Sequence, residues 1–196
     1  MSNSLPDSSL DQLFRNARSY NGFLDKPVDE TQLRALYDLV KMGPTSANTQ
    51  PLRIVWCVSE ESKQKLAALA SSTNGAKILN APVTAILGMD MAFFDKLPEL
   101  FPHTDARSWF VGSDELIEQT AFRNSTLQGA YFIIAARALG LDTGPMSGFD
   151  NKAVDEAFFA GTTVRSNFIC TLGYGDPATI FDRLPRPSFE AMNQIV

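Results

Sequence analysis

Gly43-Pro44-Thr45-Ser46-Ala47-Asn48-Thr49-Gln50-Pro51 separates a helical pattern from a strand pattern, and its surroundings decide the fold. Gly and Pro stop the preceding helix, while Thr, Ser, Asn and Gln offer hydroxyl and amide hydrogen bonds without charge. Such a loop suits a planar polar ligand held by many weak, oriented contacts. It equally suits an ordinary helix-to-strand connector, so the rest of the chain must separate the two readings. Upstream, Asp29 and Gln32 have capping-box spacing, and Leu33, Leu36, Tyr37 and Val40 recur every three or four residues. This predicts a helix that ends at Gly43-Pro44. Downstream, residues 52–59 (LRIVWCVS) are β-branched and aromatic, which predicts a strand.

Working outward, Leu10, Leu13 and Phe14 predict a short amphipathic helix over residues 9–17, followed by an extended or turning segment, 18–27. Residues 60–70 read as a helix capped by Ser59, with only a short helical turn expected after Asn74-Gly75. Residues 82–89 (PVTAILGM) are apolar on both faces, as in a central strand. A loop-rich stretch, 97–112, carries Phe101, His103, Trp109 and Phe110.

Residues 113–139 give the longest helical signal, about 40 Å at roughly 1.5 Å per residue. Asp114 and Glu115 suit its positive end, and Gly140 suits a left-handed cap. Its segment 130–136 (AYFIIAA) is apolar all round, which predicts burial on most sides, partly by a second subunit. A Gly/Pro/Ser loop is expected over 141–149, a short helix over 151–159, and a third strand over 166–172 (SNFICTL), running into Gly173-Tyr174-Gly175. The tail, 176–196, has Arg183 and Arg186 among Ile180, Phe181, Leu184 and Phe189, and is expected to dock on its own subunit or wrap another.

With 196 residues, 44% hydrophobic and 20% charged, the chain suits one α+β domain spanning 1–196, with a mainly antiparallel or mixed sheet flanked by helices. A net charge of -5 without a Lys/Arg cluster argues against nucleic-acid binding. Cys57 and Cys170 lie in apolar strand-like runs and read as buried thiols of a reducing compartment. Residues 1–11 are polar, unlike a secretory leader, and residues 130–141 are interrupted by Arg137 and too short to cross a bilayer. A cytoplasmic protein without a membrane partner is expected. The single histidine, His103, excludes a two-histidine mechanism, and no metal site is expected.

The sequence has no G-x-S-x-G elbow, Walker A loop or C-x-x-C pair, and Gly144-Pro145-Met146-Ser147-Gly148 is not a dinucleotide fingerprint. The chemistry lies instead in scattered polar loops: Arg18-Ser19, 44–48, 74–77, 145–148 and 183–186. Arginines at both ends of the chain suit a ligand bearing a phosphate and a polyhydroxyl or heteroaromatic body. Taken singly, each residue also has a plainer role: Arg18 and Lys77 as surface charges, Met146 as core filler, Trp109 and Phe110 as core aromatics.

The ordered segments ARSYNGFLDKPV (17–28), GPTSANTQP (43–51), PMSGF (145–149) and GYG (173–175) resemble the FMN-dependent nitroreductase family over nearly the whole chain. Within it, DARSWF (105–110), TAFRNS (120–125) and LGLDTGPMSGF (139–149) are most similar to the malonic semialdehyde reductase branch. The resemblance implies a homodimer whose long helix lies at the interface, with FMN bound between subunits and NADH or NADPH as co-substrate. Hydride would pass from nicotinamide through flavin N5 to a small acceptor, malonic semialdehyde first, nitroaromatics and quinones more broadly. No side chain would be the catalytic group.

By position, the resemblance puts Arg18, Ser19 and Asn21 near the ribityl phosphate, with Arg183 and Arg186 as a basic pair there. Pro44, Thr45, Ser46 and Asn48 would come from the partner subunit, and Asn74 and Lys77 would meet the ring edge. Pro145, Met146, Ser147 and Gly148 would lie near N5, while Arg107, Trp109 and Phe110 would face substrate. Ala17 and Asn21 stand where much of the family is basic, and Ser147 where many relatives are acidic.

Overall fold

A computed structural model describes residues 4–196, so the first three residues of the polar amino-terminal stretch lie outside the described residues. The chain opens with a short helix α1 (Asp7–Leu10) that widens into a π-helical turn (Asp11–Arg15). Helix α2 (Glu30–Val40) has the capping box: Asp29 Oδ1 accepts from Gln32 N at 2.9 Å, and Gln32 Oε1 accepts from Asp29 N at 3.1 Å. Strand β1 (Leu52–Cys57), helices α3 (Glu60–Ala67) and α4 (Ser72–Asn80), and strand β2 (Val83–Asp90) follow. Then come the short α5 (Leu97–Leu100), the long α6 (Asp114–Ala138), β3 (Asp142–Met146), α7 (Asn151–Phe158), β4 (Val164–Gly173) and a final turn of helix, α8 (Phe189–Met192).

The four strands are ordered β1-β2-β4-β3, and every pair is antiparallel. A parallel bridge from Ser19 to Thr143 adds the amino-terminal segment outside β3. Central β2 is buried along its whole length. With a period of two, Val83, Ala85 and Leu87 join the cluster under α2 and α6, while Ile86 joins the cluster on the α3, α4 and α7 side. Truncating Ile86 or Leu87, each with no solvent exposure, would cost about 2–5 kcal/mol. A third cluster, including Phe93, Leu97, Phe110, Ile117 and Ala121, secures residues 93–121 to the first half of α6.

Three segments differ from the sequence expectation. Residues 142–146 form a strand rather than a loop; β3 is the outer strand, where proline is tolerated. Asn74-Gly75 lies inside α4 rather than before a short turn. A Cβ at position 75 would sit 3.0 Å from the Ala67 carbonyl, so glycine lets α4 close on α3. The 97–112 stretch contains α5 and a 3-10 turn, Ala106–Trp109.

At the far end of α4, the buried Lys63 ammonium meets the carbonyls of Leu79 and Ala81 (3.4 and 3.3 Å) and pairs with Glu60 at 2.7 Å. A cation there offsets the negative helix end. Helix α6 ends as expected: Gly140 has φ +74°, its N–H reaches Arg137 O at 3.0 Å, and Leu141 N–H reaches Ala136 O at 2.9 Å. Within 130–136, Phe132, Ala135 and Ala136 are buried, but Ala130 and Tyr131 are exposed. The exposure continues along α6 through Leu127, Phe122 (53% exposed) and Leu116. Among the described residues, no helix is long and apolar enough to cross a membrane.

Candidate active site

Both ends of the chain meet at one cavity of about 590 Å³, lined by Arg18, Ser19, Asn21, Arg137, Arg183 and Arg186 together with Phe14, Ala17, Phe181, Asp182 and Leu184. Four arginines thus line one space in which, among the described residues, Asp182 is the only lining carboxylate. Their hydrogen bonds go to backbone carbonyls. Arg18 donates to Phe181 O, and Arg183 to Arg15 O and Ala17 O at 2.7 and 2.9 Å. Arg137 donates to Leu13 O at 2.9 Å, and Arg186 to Leu184 O and Pro185 O at 2.9 and 3.3 Å.

Among the described residues none of the four is ion-paired. A guanidinium has five N–H donors, so each keeps capacity for an anion. Burial pushes the Arg137 pKa down; Asp142 and Cys170 oppose this, and the like charge of Arg183 adds to it. Asp142 is half-buried behind them and accepts from Gly175 N–H at 2.9 Å. Its pKa is raised by burial and partly restored by that N–H and by Arg137.

A second polar surface lies outside this lining. Tyr20 N–H donates to Thr143 O at 3.0 Å, so the segment holding Ser19 and Asn21 runs along β3 toward Pro145. Past β3, Gly148 O accepts from Asn74 Nδ2 at 3.1 Å and from Ser71 N at 3.0 Å, joining the 145–148 backbone to α4. Lys77 is half-buried one turn beyond Asn74, and Asn80 Oδ1 accepts from Phe23 N at 2.8 Å. Pro145, Ser147 and Gly148 are exposed, whereas Met146 packs partly into the core, as the plainer reading had it.

The 44–50 loop is elsewhere. Ser46 N–H donates to Asn124 Oδ1 at 2.8 Å, Asn48 Nδ2 to Leu100 O at 2.8 Å, and the Tyr131 ring packs on Gly43. Asn124 and Arg137 are 13 positions apart on α6, about 20 Å along its axis. Thus Pro44, Thr45, Ser46 and Asn48 do not join Arg18 and Arg183 within one chain.

Of the expected substrate residues, Phe110 is only 5% exposed, and its ring meets Phe93 edge-on at 4.9 Å. Its ring belongs to the core cluster packed on the first half of α6. Arg107 is paired with Asp95 at 2.9 Å and lies over the Phe94 ring. Trp109, half exposed, belongs with Phe101 and His103 to an aromatic group just after Leu100. The residue missed from sequence is Arg137, which there only interrupts an apolar run; a lone charge in such a run was the available signal.

An antiparallel α+β domain with a long half-exposed helix and a cation-lined cavity defines the class. A family model described as "Nitroreductase family" matches residues 14–174, and the chain belongs to that family. It is 62% identical over 191 residues to a Burkholderia lata protein described as a candidate NADH dehydrogenase/NAD(P)H nitroreductase, covering 97% of this chain and 98% of that one. A Stenotrophomonas maltophilia protein of the same description is 60% identical, with full coverage of both chains. The crystal structure of a candidate nitroreductase from Exiguobacterium sibiricum, in complex with FMN, superposes with a TM-score of 0.84 at 18% identity, covering both chains completely.

Proposed function

We propose that the chain is an FMN-dependent NAD(P)H oxidoreductase acting as a homodimer, each site combining the arginine cavity of one copy with the 44–50 loop of the other. The observation that carries this reading is the meeting of Arg18, Arg183 and Arg186 with Arg137 around one cavity. Guanidinium groups bonded only to neutral carbonyls suit a phosphate. Ser19 and Asn21 would add polar contacts, Asn74 and Lys77 would hold the ring edge, and the 145–148 backbone would lie beside them. FMN, when bound, supplies hydride chemistry between a nicotinamide and a small oxidant. The protein's own work is binding, orientation and a positive Lys77 placed where negative charge gathers.

Dimerisation is supported by what one chain leaves open. The exposed Phe122, Leu127 and Tyr131 of α6, and the exposed Phe181, Leu184, Phe189, Met192 and Ile195 of the tail, need a partner. Strand β1 is an open sheet edge beside a groove of about 830 Å³ lined by Trp56, Val58 and Tyr37, which such a tail would cover. A two-fold axis across α6 carries the loop of one copy toward the cavity of the other.

For the acceptor, similarity over 105–110, 120–125 and 139–149 supports malonic semialdehyde, reduced to 3-hydroxypropionate, in a cytoplasmic setting. The Arg107–Asp95 pair favours a second reading, a nitroaromatic or quinone reductase, because it occupies the cation proposed for the substrate carboxylate. An anaerobic absorbance spectrum with FMN tests both. A bound flavin band that bleaches with NADPH or NADH confirms the reductase, and recovery with malonic semialdehyde against nitroaromatics or quinones ranks the acceptors. Flavin uptake without bleaching would leave a non-catalytic flavin-binding protein, and no uptake would overturn the proposal.

A further inference from the structure

The 44–50 loop holds three L residues in a conformation they avoid. Ala47, Asn48 and Gln50 have φ of 47°, 51° and 43°. There the Cβ crowds the backbone carbonyl, and of the three only Asn is commonly found in that region. Such residues persist where their surroundings over-determine them.

The restraint converges on Gln50. Its side chain accepts from Gln128 Nε2 at 2.6 Å and donates to Asn48 Oδ1 at 2.9 Å, while its N–H donates to Thr45 Oγ1 at 3.2 Å. Its carbonyl accepts from Arg53 Nη1 at 2.9 Å, and Arg53 is pinned by Asp90 at 2.6 Å. Gln128 is 4% exposed on α6, and its Oε1 also accepts from Leu52 N at 3.0 Å. A leucine would fill that position between α6 and β1 as well. The buried amide is explained by the loop it holds, because burying a polar group is unfavourable unless its bonds are made.

We infer that Gln128 is a positioning residue: through Gln50 it keeps Ala47, Asn48 and Gln50 left-handed around a right-handed Thr49, and so presents Thr45 and Ser46 to the flavin of a second copy. This role rests on the dimeric FMN reading above. Gln128→Leu conserves volume and removes both bonds. It should weaken FMN binding about tenfold by fluorescence titration and speed amide exchange at Gln50 and Leu52. Adding Ala47→Gly, which meets positive φ without a Cβ, should bring the Kd back to within about threefold of wild type.

A purely structural Gln128 would lower Tm without rescue by Ala47→Gly, and unchanged Kd and exchange would equally overturn the inference. Should Gln128→Leu fail to fold, Gln50→Leu breaks the same contact from the half-buried loop and carries the same expectation for Kd and its rescue, with Leu52 exchange unchanged because Gln128 still accepts its N–H. Wild-type protein that takes up no FMN would sink the cofactor reading alone; exchange at Gln50, whose N–H bonds Thr45 within the loop, would still decide the role of Gln128, since it should quicken in Gln128→Leu and slow again when Ala47→Gly is added.

Discussion

The arginine cavity and the 44–50 loop, the two halves of the proposed flavin site, are built by opposite means. The cavity gathers four positive charges on unremarkable backbone, each tethered to carbonyls. The loop carries no charge and spends its interactions on holding a strained backbone. Charge recognises an anion at long range, whereas a strained neutral loop fixes the shape of a contact. A flavin nucleotide needs both, and the two sit at different levels of α6.

The largest effect should come from charge. Arg18→Ala removes one guanidinium and its tie to Phe181 O, and should weaken FMN binding on the order of 10–100-fold, from roughly 1.5–3 kcal/mol per hydrogen bond to a charged group. Arg186→Ala should cost less, about tenfold, because that side chain is exposed. Unchanged Kd in a folded Arg186→Ala protein would remove it from the site. Salt separates the regions: from about 0.1 M to about 1 M the screening length falls from about 10 Å to about 3 Å. FMN affinity should drop several-fold while amide exchange of Ser46 and Gln50 stays constant. Salt-independent affinity would break the contrast.

Asp142 offers a subtler change. Burial raises its pKa, so the folded state disfavours its ionised form. Such a carboxyl contributes stability that is fully present below its unfolded pKa, about 3.9, and is lost as pH rises through the higher folded value. Asp142→Asn can still accept from Gly175 N–H. Urea titrations should show less loss of stability upward from about pH 4, and FMN affinity at neutral pH should rise a few-fold as a negative charge behind Arg137 disappears. A steeper pH dependence would contradict the burial argument. The smallest effect belongs to the loop: Thr49 Oγ1 is buried without a partner among the described residues, so Thr49→Val should change stability by no more than about 0.5 kcal/mol. A clear loss would reveal a bond to that hydroxyl.

Sequence exposed these two regions unequally. Arginines at both ends of the chain suggested a phosphate-bearing ligand before any fold was known, though singly Arg18 reads equally as a surface charge and the positions of Arg183 and Arg186 came from the resemblance. Central β2 and the capped ends of α2 and α6 were legible because period and cap chemistry act locally. Strand β3 was hidden by Gly144-Pro145, since an edge strand tolerates what an inner one cannot. Helix α4 was hidden by Asn74-Gly75, a turn signal used instead for close packing against α3. The strain at Ala47 and Gln50 has no residue signature, because tertiary bonds from Gln128 and Asn124 impose it. The loop's hydroxyls and amides suggested a planar polar ligand without separating it from a plain connector, and the flavin role proposed for the loop comes from the resemblance.

Intersubunit complementation tests most directly whether each site joins the cavity of one copy to the loop of its partner. One copy carries Arg18→Ala with Arg186→Ala; the other carries Ala47→Pro, whose ring forbids the positive φ. Each homodimer should bind FMN poorly. The purified heterodimer is predicted to recover one normal-affinity FMN per dimer, because one of its two sites then combines an intact cavity with an intact loop. A heterodimer with no high-affinity FMN would place cavity and loop function within the same chain and contradict the account.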